Sequence, residues 1–476
     1  EKEINLLWVP WATFRAIEIN LVAQTTLAIE GINMSGIVQK EIEKYVARTP
    51  GSYKRQKEAE KFLPGGSSRG TAYFEPYPHF IESGHEHYIV DVDGNEYLDF
   101  MINATSLILG HANANVADVI KDQADKGVAF SGPTDSQISL AKILTDRIPS
   151  VDTVRFTNSG TEGTLMAIRA ARQFTGREKI VKIEGGYHGS HEYVAVSVYP
   201  SKNSLDPDKT TAIPEYSKQP DSVLADVIVV PYNDIEETTR MIEENSETVA
   251  CVIMEPIVSS FGYTPANLDY LEFVREITTR LGIILIYDEV QSFRVAPGGA
   301  QELFGVVPDM TTLGKIIGGG MPVGAFGGRR DIMDLFDPTN GGADIAHAGT
   351  FNANPVTMRA GEVVMNALTP DVYEAMNNLG EKLRNQLRAV FDELEVDAQV
   401  TGVGSLFGIH FTQDSIRNYR DVINADSDMK RAFFVGMLNE GILLQSGAAG
   451  ALNVFSDENH VNHLVNSARK VVQRIR

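Results

Sequence analysis

The chain has 476 residues, enough for two or three domains and a large buried core. Hydrophobic residues make up 43% and charged residues 22%, the balance of a soluble globular enzyme. With 63 acidic against 42 basic side chains, the net charge is −21, a field that repels polynucleotides and anionic membranes and excludes both as partners.

The first 33 residues carry apolar patches at Leu6–Trp11 and Leu21-Val22, interrupted by Arg15, Glu18 and Glu30. No run approaches the roughly 18 apolar residues of a membrane span. With no basic start and no cleavage site, a signal peptide is not expected. Met34-Ser35-Gly36 begins a more conventional N-terminus. Residues 1–33 therefore read as an extension of unknown role, or as an amphipathic arm packing on a partner subunit.

Residues 34–109 read as an N-terminal segment belonging to a smaller domain. Its charged stretch predicts a helix over 35–62, leading to Pro64-Gly65-Gly66. Tyr88–Phe100 alternates apolar and polar residues about Asp93-Gly94, a hairpin signal. Asp91, Asp93 and Gly94 superficially match a calcium loop, but the glycine is misplaced and no closing glutamate follows, so a turn is expected.

From 110 to 360, helical patterns alternate with short apolar strands: Thr153–Thr157, Ile180–Ile183, Val227–Val230, Val249–Met254 and Gly282–Tyr287. That alternation predicts an α/β fold, a large domain with a mostly parallel sheet, whose ligands bind at the carboxyl ends of strands. Cys251, the single cysteine, lies in an apolar run as a buried thiol and fits a reducing, cytoplasmic compartment. Residues 361–476 read as a smaller α/β domain that joins the N-terminal segment. It has helices over Pro355–Leu368, Val372–Leu394 and Val461–Arg476, and strands over Ser405–Phe411 and Gly441–Leu444.

Five segments carry chemistry. Asn158-Ser159-Gly160-Thr161-Glu162 opens a helix, either as a simple cap or as a phosphate seat of backbone N–H groups and hydroxyls. Glu184-Gly185-Gly186-Tyr187-His188-Gly189 brings an aromatic ring close to backbone, as a packed turn or a stacking platform. His188 and His191 lack further ligands at metal spacing, so no metal is expected. Asp288-Glu289-Val290-Gln291 ends a buried strand, where a carboxylate needs a cationic partner or serves as a helix cap. A protonated pyridine nitrogen would be such a partner. Lys315, between an apolar strand and Gly318-Gly319-Gly320, is either a surface lysine or a buried amine kept neutral for Schiff-base chemistry with an aldehyde. Gly349-Thr350-Phe351-Asn352 offers another hydroxyl before a helix. A phosphate seat, a stacking ring, an acid for a ring nitrogen and an amine for an aldehyde are together what pyridoxal 5′-phosphate (PLP) requires.

From about Pro64 onward the chain resembles the class III (ω) aminotransferases of the fold-type I PLP-dependent family. The resemblance rests on Asn158–Glu162, Tyr187-His188-Gly189, Asp288–Gln291, Leu313–Gly320 and Gly349–Pro355. It implies that Lys315 carries the cofactor, Asp288 pairs with its ring nitrogen, and Tyr187 and Val290 sandwich the ring. Ser159, Gly160 and Thr161 would hold the phosphate, and Thr350 would reach the phosphate of the neighbouring subunit in a homodimer with shared sites. Two branches look closest: the β-amino-acid (β-phenylalanine-type) aminotransferases and glutamate-1-semialdehyde 2,1-aminomutase. Leu63–Arg69 with Pro76-Tyr77-Pro78 looks like the first branch, in which the matching Arg69 binds the substrate carboxylate. The mutase branch carries a glutamate that contacts the substrate amine. The aligned stretch here, Gln445–Ala451, has no acid, and its small residues Ala448–Ala451 suggest space for a bulky group. The expected activity is amino transfer from a β-amino acid such as β-phenylalanine to a keto acid such as 2-oxoglutarate, with the mutase as the alternative.

Overall fold

The computed structural model describes residues 35–339 and 341–476; the extension or arm expected over 1–33 lies outside them. The charged stretch after Ser35 forms two helices, Gly36–Arg48 and Pro50–Ala59, not one. Pro50 is the reason. It has no N–H to continue the first helix, and its fixed φ suits the first position of the second. Val38, Ile42 and Tyr45 recur at helical spacing and bury one face against Leu383, Phe433 and Leu464.

The hairpin is present: Tyr88–Asp91 pairs antiparallel with Glu96–Asp99. Asp91 Oδ1 accepts from the N–H groups of Asp93 (2.9 Å) and Asn95 (2.8 Å), so the turn is closed by side chain and backbone. Ile81–His85 extends this sheet, and Ile442–Leu443 joins its other edge in parallel. Segments from the two ends of the chain thus share one sheet and one core.

The central sheet has seven strands, in the order Thr153–Thr157, Gly324–Gly328, Met310–Gly314, Ile284–Asp288, Val249–Met254, Lys179–Ile183 and Val227–Val230. Six run parallel; Gly324–Gly328 runs antiparallel to both neighbours. Successive side chains go to opposite faces. Ile284 and Ile286 pack with Ala167 and Ala171 of the helix Gly160–Thr175, while Leu285 and Tyr287 pack with Leu271 and Ile277 of the helix Leu268–Leu281. Burial on both faces explains the near-continuous apolar runs seen in the sequence. The glycines of the antiparallel strand are sterically required. A Cβ on Gly324 would stand 1.9 Å from the Ser159 carbonyl oxygen.

A three-stranded sheet, Gln399–Thr401, Leu406–His410 and Ala449–Ala451, lies in the C-terminal part. Here the structure corrects the expectation that Ala448–Ala451 opens space for a bulky group. Ala449–Ala451 pairs with Leu406–Gly408 and is buried. A Cβ on Gly450 would come within 2.7 Å of Phe407, so small residues are needed for strand packing. Among the described residues no helix is long and apolar enough to cross a membrane.

Candidate active site

Four strand ends deliver the site. Thr153–Thr157 leads into Ser159-Gly160-Thr161, Lys179–Ile183 into Tyr187, Ile284–Asp288 into Val290, and Met310–Gly314 into Lys315. Gly160, Thr161, Tyr187, Asp288, Val290 and Lys315 line one cavity of about 130 Å³. His188, Glu255, Ser259 and Gln291 line it too. None of these four was singled out as a site residue from the sequence. His188 was legible as the neighbour of Tyr187 and, with His191, as a histidine pair lacking further metal ligands. Glu255 gave no signal beyond its place at a strand end.

Lys315 follows its strand directly, with φ +50°, an uncommon setting for a residue with a side chain. Strain of this kind persists where the surroundings over-determine it, often at functional sites. Its amine takes no hydrogen bond among the described residues. Burial pushes its pKa down, opposed by the charges of Asp288 and Glu255 and reinforced by that of Arg69. Each cause favours or opposes the charged ammonium through desolvation or a nearby charge.

Asp288 is buried and fully engaged. Its Oδ1 accepts from Val290 N–H (3.1 Å) and Thr312 Oγ1 (3.1 Å), and Oδ2 lies 2.9 Å from His188 Nδ1. The protein thus supplies Asp288 with hydrogen-bond partners in His188, Thr312 and the Val290 backbone. Glu289, the next residue, is placed differently. It does not line the cavity and accepts from Ala300 N–H (2.5 Å), Gln301 N–H (3.2 Å), Gln301 Nε2 (3.0 Å) and Ser292 Oγ (3.1 Å), with no cation among the described residues. Glu255 is a third buried carboxyl. It accepts from Tyr187 N–H (3.3 Å), Ser259 N–H (3.2 Å) and Ser259 Oγ (2.7 Å), and burial pushes its pKa up.

At the other end of the cavity, Ser159 caps the helix Gly160–Thr175, its Oγ accepting from Glu162 N–H at 3.2 Å. Ser159 thus acts as the cap, while Gly160 and Thr161 present the helix N-terminus, a natural anion seat. The glycines here keep the walls apart. A Cβ on Gly160 would meet Val290 at 3.0 Å, and one on Gly189 would meet Thr161 Oγ1 at 2.5 Å. Thr350 is exposed and does not line the cavity.

Arg69 stands at the mouth of a second, larger cavity of about 460 Å³, with Asn103, Phe74, Leu443 and Ser446. It makes no ion pair among the described residues; its Nη1 donates to Asn103 Oδ1 at 2.7 Å. A free guanidinium whose charge reaches Lys315 is available to a carboxylate. The segment Gln445–Gly447 lies close by: Gln445 Nε2 donates to the buried Tyr263 hydroxyl (2.5 Å), which lies 3.4 Å from Gln291 Oε1. Among the described residues no group of three or more His, Cys, Asp or Glu side chains is placed to hold a metal ion.

The donor set matches PLP end for end. An unbonded amine suits its aldehyde, a helix N-terminus bounded by glycines suits its phosphate, and a carboxylate at the far wall suits its ring nitrogen. Tyr187 and Val290 both line the space that the ring would take.

The family model of class III aminotransferases matches residues 72–456. A glutamate-1-semialdehyde 2,1-aminomutase from Methanothermobacter thermautotrophicus is 37% identical, covering 88% of this chain and 98% of the relative. Among solved structures, an ω-transaminase from Sphaerobacter thermophilus superposes with a TM-score of 0.87 and 42% identity, covering 90% of this chain and 99% of that one. A β-phenylalanine aminotransferase from Variovorax paradoxus does so with a TM-score of 0.83 and 33% identity, covering 92% and 97%. The chain belongs to the class III aminotransferase family and is a PLP-dependent enzyme.

Proposed function

We propose that the protein transfers the amino group of a carboxylate-bearing amine, of the β-amino-acid class, to a keto acid such as 2-oxoglutarate. The observation that carries this reading is Arg69: a guanidinium without an acidic partner among the described residues, lining a cavity with Asn103 and Ser446. An arginine fork suits the carboxylate of the donor and then that of the keto acid. The name of the Variovorax structure accords with the β-amino-acid donor, and that of the Sphaerobacter structure with amino transfer.

When bound, PLP supplies an aldehyde for the incoming amine and a cationic ring that delocalises negative charge. The chain's residues do the rest. The Lys315 amine, kept toward neutrality by burial, would act as general base on the C–H of the amine-bearing carbon, hold that proton on Nζ as the ammonium, and give it up again as general acid. Asp288, braced by His188 and Thr312, holds a proton at the ring nitrogen. Tyr187 and Val290 confine the ring between them. The helix N-terminus at Ser159-Gly160-Thr161 binds the phosphate, and Thr350, exposed on this subunit, serves the site of a partner in a cytoplasmic homodimer.

The relatives identified by sequence favour a second reading, isomerisation of glutamate 1-semialdehyde, because the Methanothermobacter protein and others near 40% identity bear the aminomutase name. Against it stands the acid-free segment Gln445–Ala451. One experiment separates the two: purified enzyme is offered β-phenylalanine with 2-oxoglutarate, and separately glutamate 1-semialdehyde with no keto acid. Transfer in the first mixture alone supports transamination. Turnover in the second alone overturns it and establishes the mutase reading.

A further inference from the structure

Residues 102–105 form a left-handed turn made entirely of residues with side chains: φ is +39° at Ile102, +50° at Asn103, +53° at Ala104 and +71° at Thr105. L-residues visit this region singly and at a cost; four in succession need strong external constraint. That constraint is visible on every side. Asp99 Oδ1 accepts from Ile102 N–H at 2.8 Å, and Thr105 N–H donates to the Met101 carbonyl at 3.0 Å. Arg294, fully buried with no carboxylate partner among the described residues, donates to the Thr105 carbonyl (3.0 Å), to Ser405 Oγ (3.2 Å) and to the Leu452 carbonyl. Thr105 Oγ1 lies 3.1 Å from Gln291 Oε1 at the cofactor cavity wall.

The turn presents one polar group outward, the Asn103 amide, and fixes its orientation. Asn103 Nδ2 donates to Ser106 Oγ at 3.0 Å, and the same Oγ donates to the Asn103 carbonyl at 2.9 Å. The amide oxygen is left facing Arg69, whose Nη1 it accepts at 2.7 Å. Arg69 Nε and Nη2 take no hydrogen bond among the described residues. Its side chain stands on a short irregular segment, Ser67–Ala72, that does not itself hold the guanidinium in place.

We propose that Asn103 is the positioning residue for Arg69: the rigid left-handed turn uses its amide oxygen to anchor one edge of the guanidinium and leaves the other edge free to bind a substrate carboxylate. The proposal rests on the reading of Arg69 as the carboxylate-binding residue. It makes Asn103 a specificity determinant that touches the substrate only through Arg69. Asparagine suits both duties, since it tolerates the left-handed conformation better than most residues and supplies a neutral acceptor. An acidic residue there would pair with the arginine and compete with the substrate.

The test uses the PLP-loaded enzyme and N103G, because glycine keeps the turn conformation and removes only the amide. N103G is expected to raise KM for carboxylated donors about three- to tenfold, with kcat, KM for a plain aryl-alkylamine and the cofactor absorbance unchanged. Binding of unreactive 3-phenylpropanoate, followed by calorimetry, should weaken by the same factor. N103D should weaken both further by charge competition. A merely structural role would move all donors together, and N103G matching wild type on carboxylated donors and on 3-phenylpropanoate would overturn the proposal. R69A separates the two levels. If R69A loses its preference for carboxylated donors while N103G does not, the positioning role is refuted and the Arg69 reading stands. If R69A keeps that preference, the Arg69 reading itself falls, and the proposal with it.

Discussion

Lys182 offers the most quantitative test of the electrostatics around the site. It is 0% exposed on the strand Lys179–Ile183, and its ammonium donates to three carbonyl oxygens: Ile183 (3.2 Å), Gly186 (3.0 Å) and Val196 (2.6 Å). The nearby carboxylate of Glu184 is held by Arg420 at 2.8 Å. Burial pushes the Lys182 pKa from 10.5 down to about 7. Between those values the unfolded chain binds a proton that the folded chain has released, so stability rises with pH across that window. The full span of roughly 3.5 units corresponds to about 5 kcal/mol, and about 3 kcal/mol of it falls between pH 7 and pH 9.5. Lys182→Met removes this dependence. In urea unfolding at pH 7, 8 and 9.5, the stability of wild type relative to the variant should climb by that amount. Parallel profiles for the two proteins would refute the reasoning, because they would mean that the three carbonyls hold the ammonium charged at no cost.

Lys315→Ala should abolish amino transfer and the cofactor–lysine absorbance; either one surviving in purified protein refutes the assignment. His188→Leu takes the donor from Asp288 Oδ2 and should lower kcat by about tenfold to a hundredfold while the protein still folds, as supporting partners typically do; steady-state kinetics beside a thermal melt checks it. Glu289→Ala strands the donors of Ala300, Gln301 and Ser292 in a dry site. It should cost about 3–5 kcal/mol in chemical denaturation, each orphaned donor contributing about 1–3 kcal/mol and the freed carboxyl desolvation offsetting part. A loss below about 1 kcal/mol would show that water reaches that pocket.

The central strands were legible because both faces are buried: Val249–Met254 is apolar at every position and matches its predicted bounds. Gly324–Gly328 was not legible. It is held by glycine fit against Ser159 and by pairing on both edges, neither of which leaves a hydrophobic pattern. Lys315, Asp288, Tyr187 and Thr161 could be picked out because each belongs to a short segment of unusual composition beside a strand end. Glu255 and Asn103 could not be, since their importance arises from contacts with residues far along the chain, Tyr187 and Arg69. The reading of Ala448–Ala451 failed for a related reason. Small size admits several partners, and only three-dimensional neighbours select among them.

The antiparallel strand Gly324–Gly328 also dictates when the active site can come into being during synthesis. The strand that leads into Ser159 is made before most of the sheet, yet among the described residues its only neighbour in that sheet is Gly324–Gly328, made some 170 residues later. Until that segment leaves the ribosome, Thr153–Thr157 has an unpaired edge and the anion seat at Gly160 has no Lys315 strand beside it. A nascent chain halted before residue 324 would expose that edge to other chains. Cofactor capture is thereby reserved for a chain in which Gly324–Gly328 has already been made.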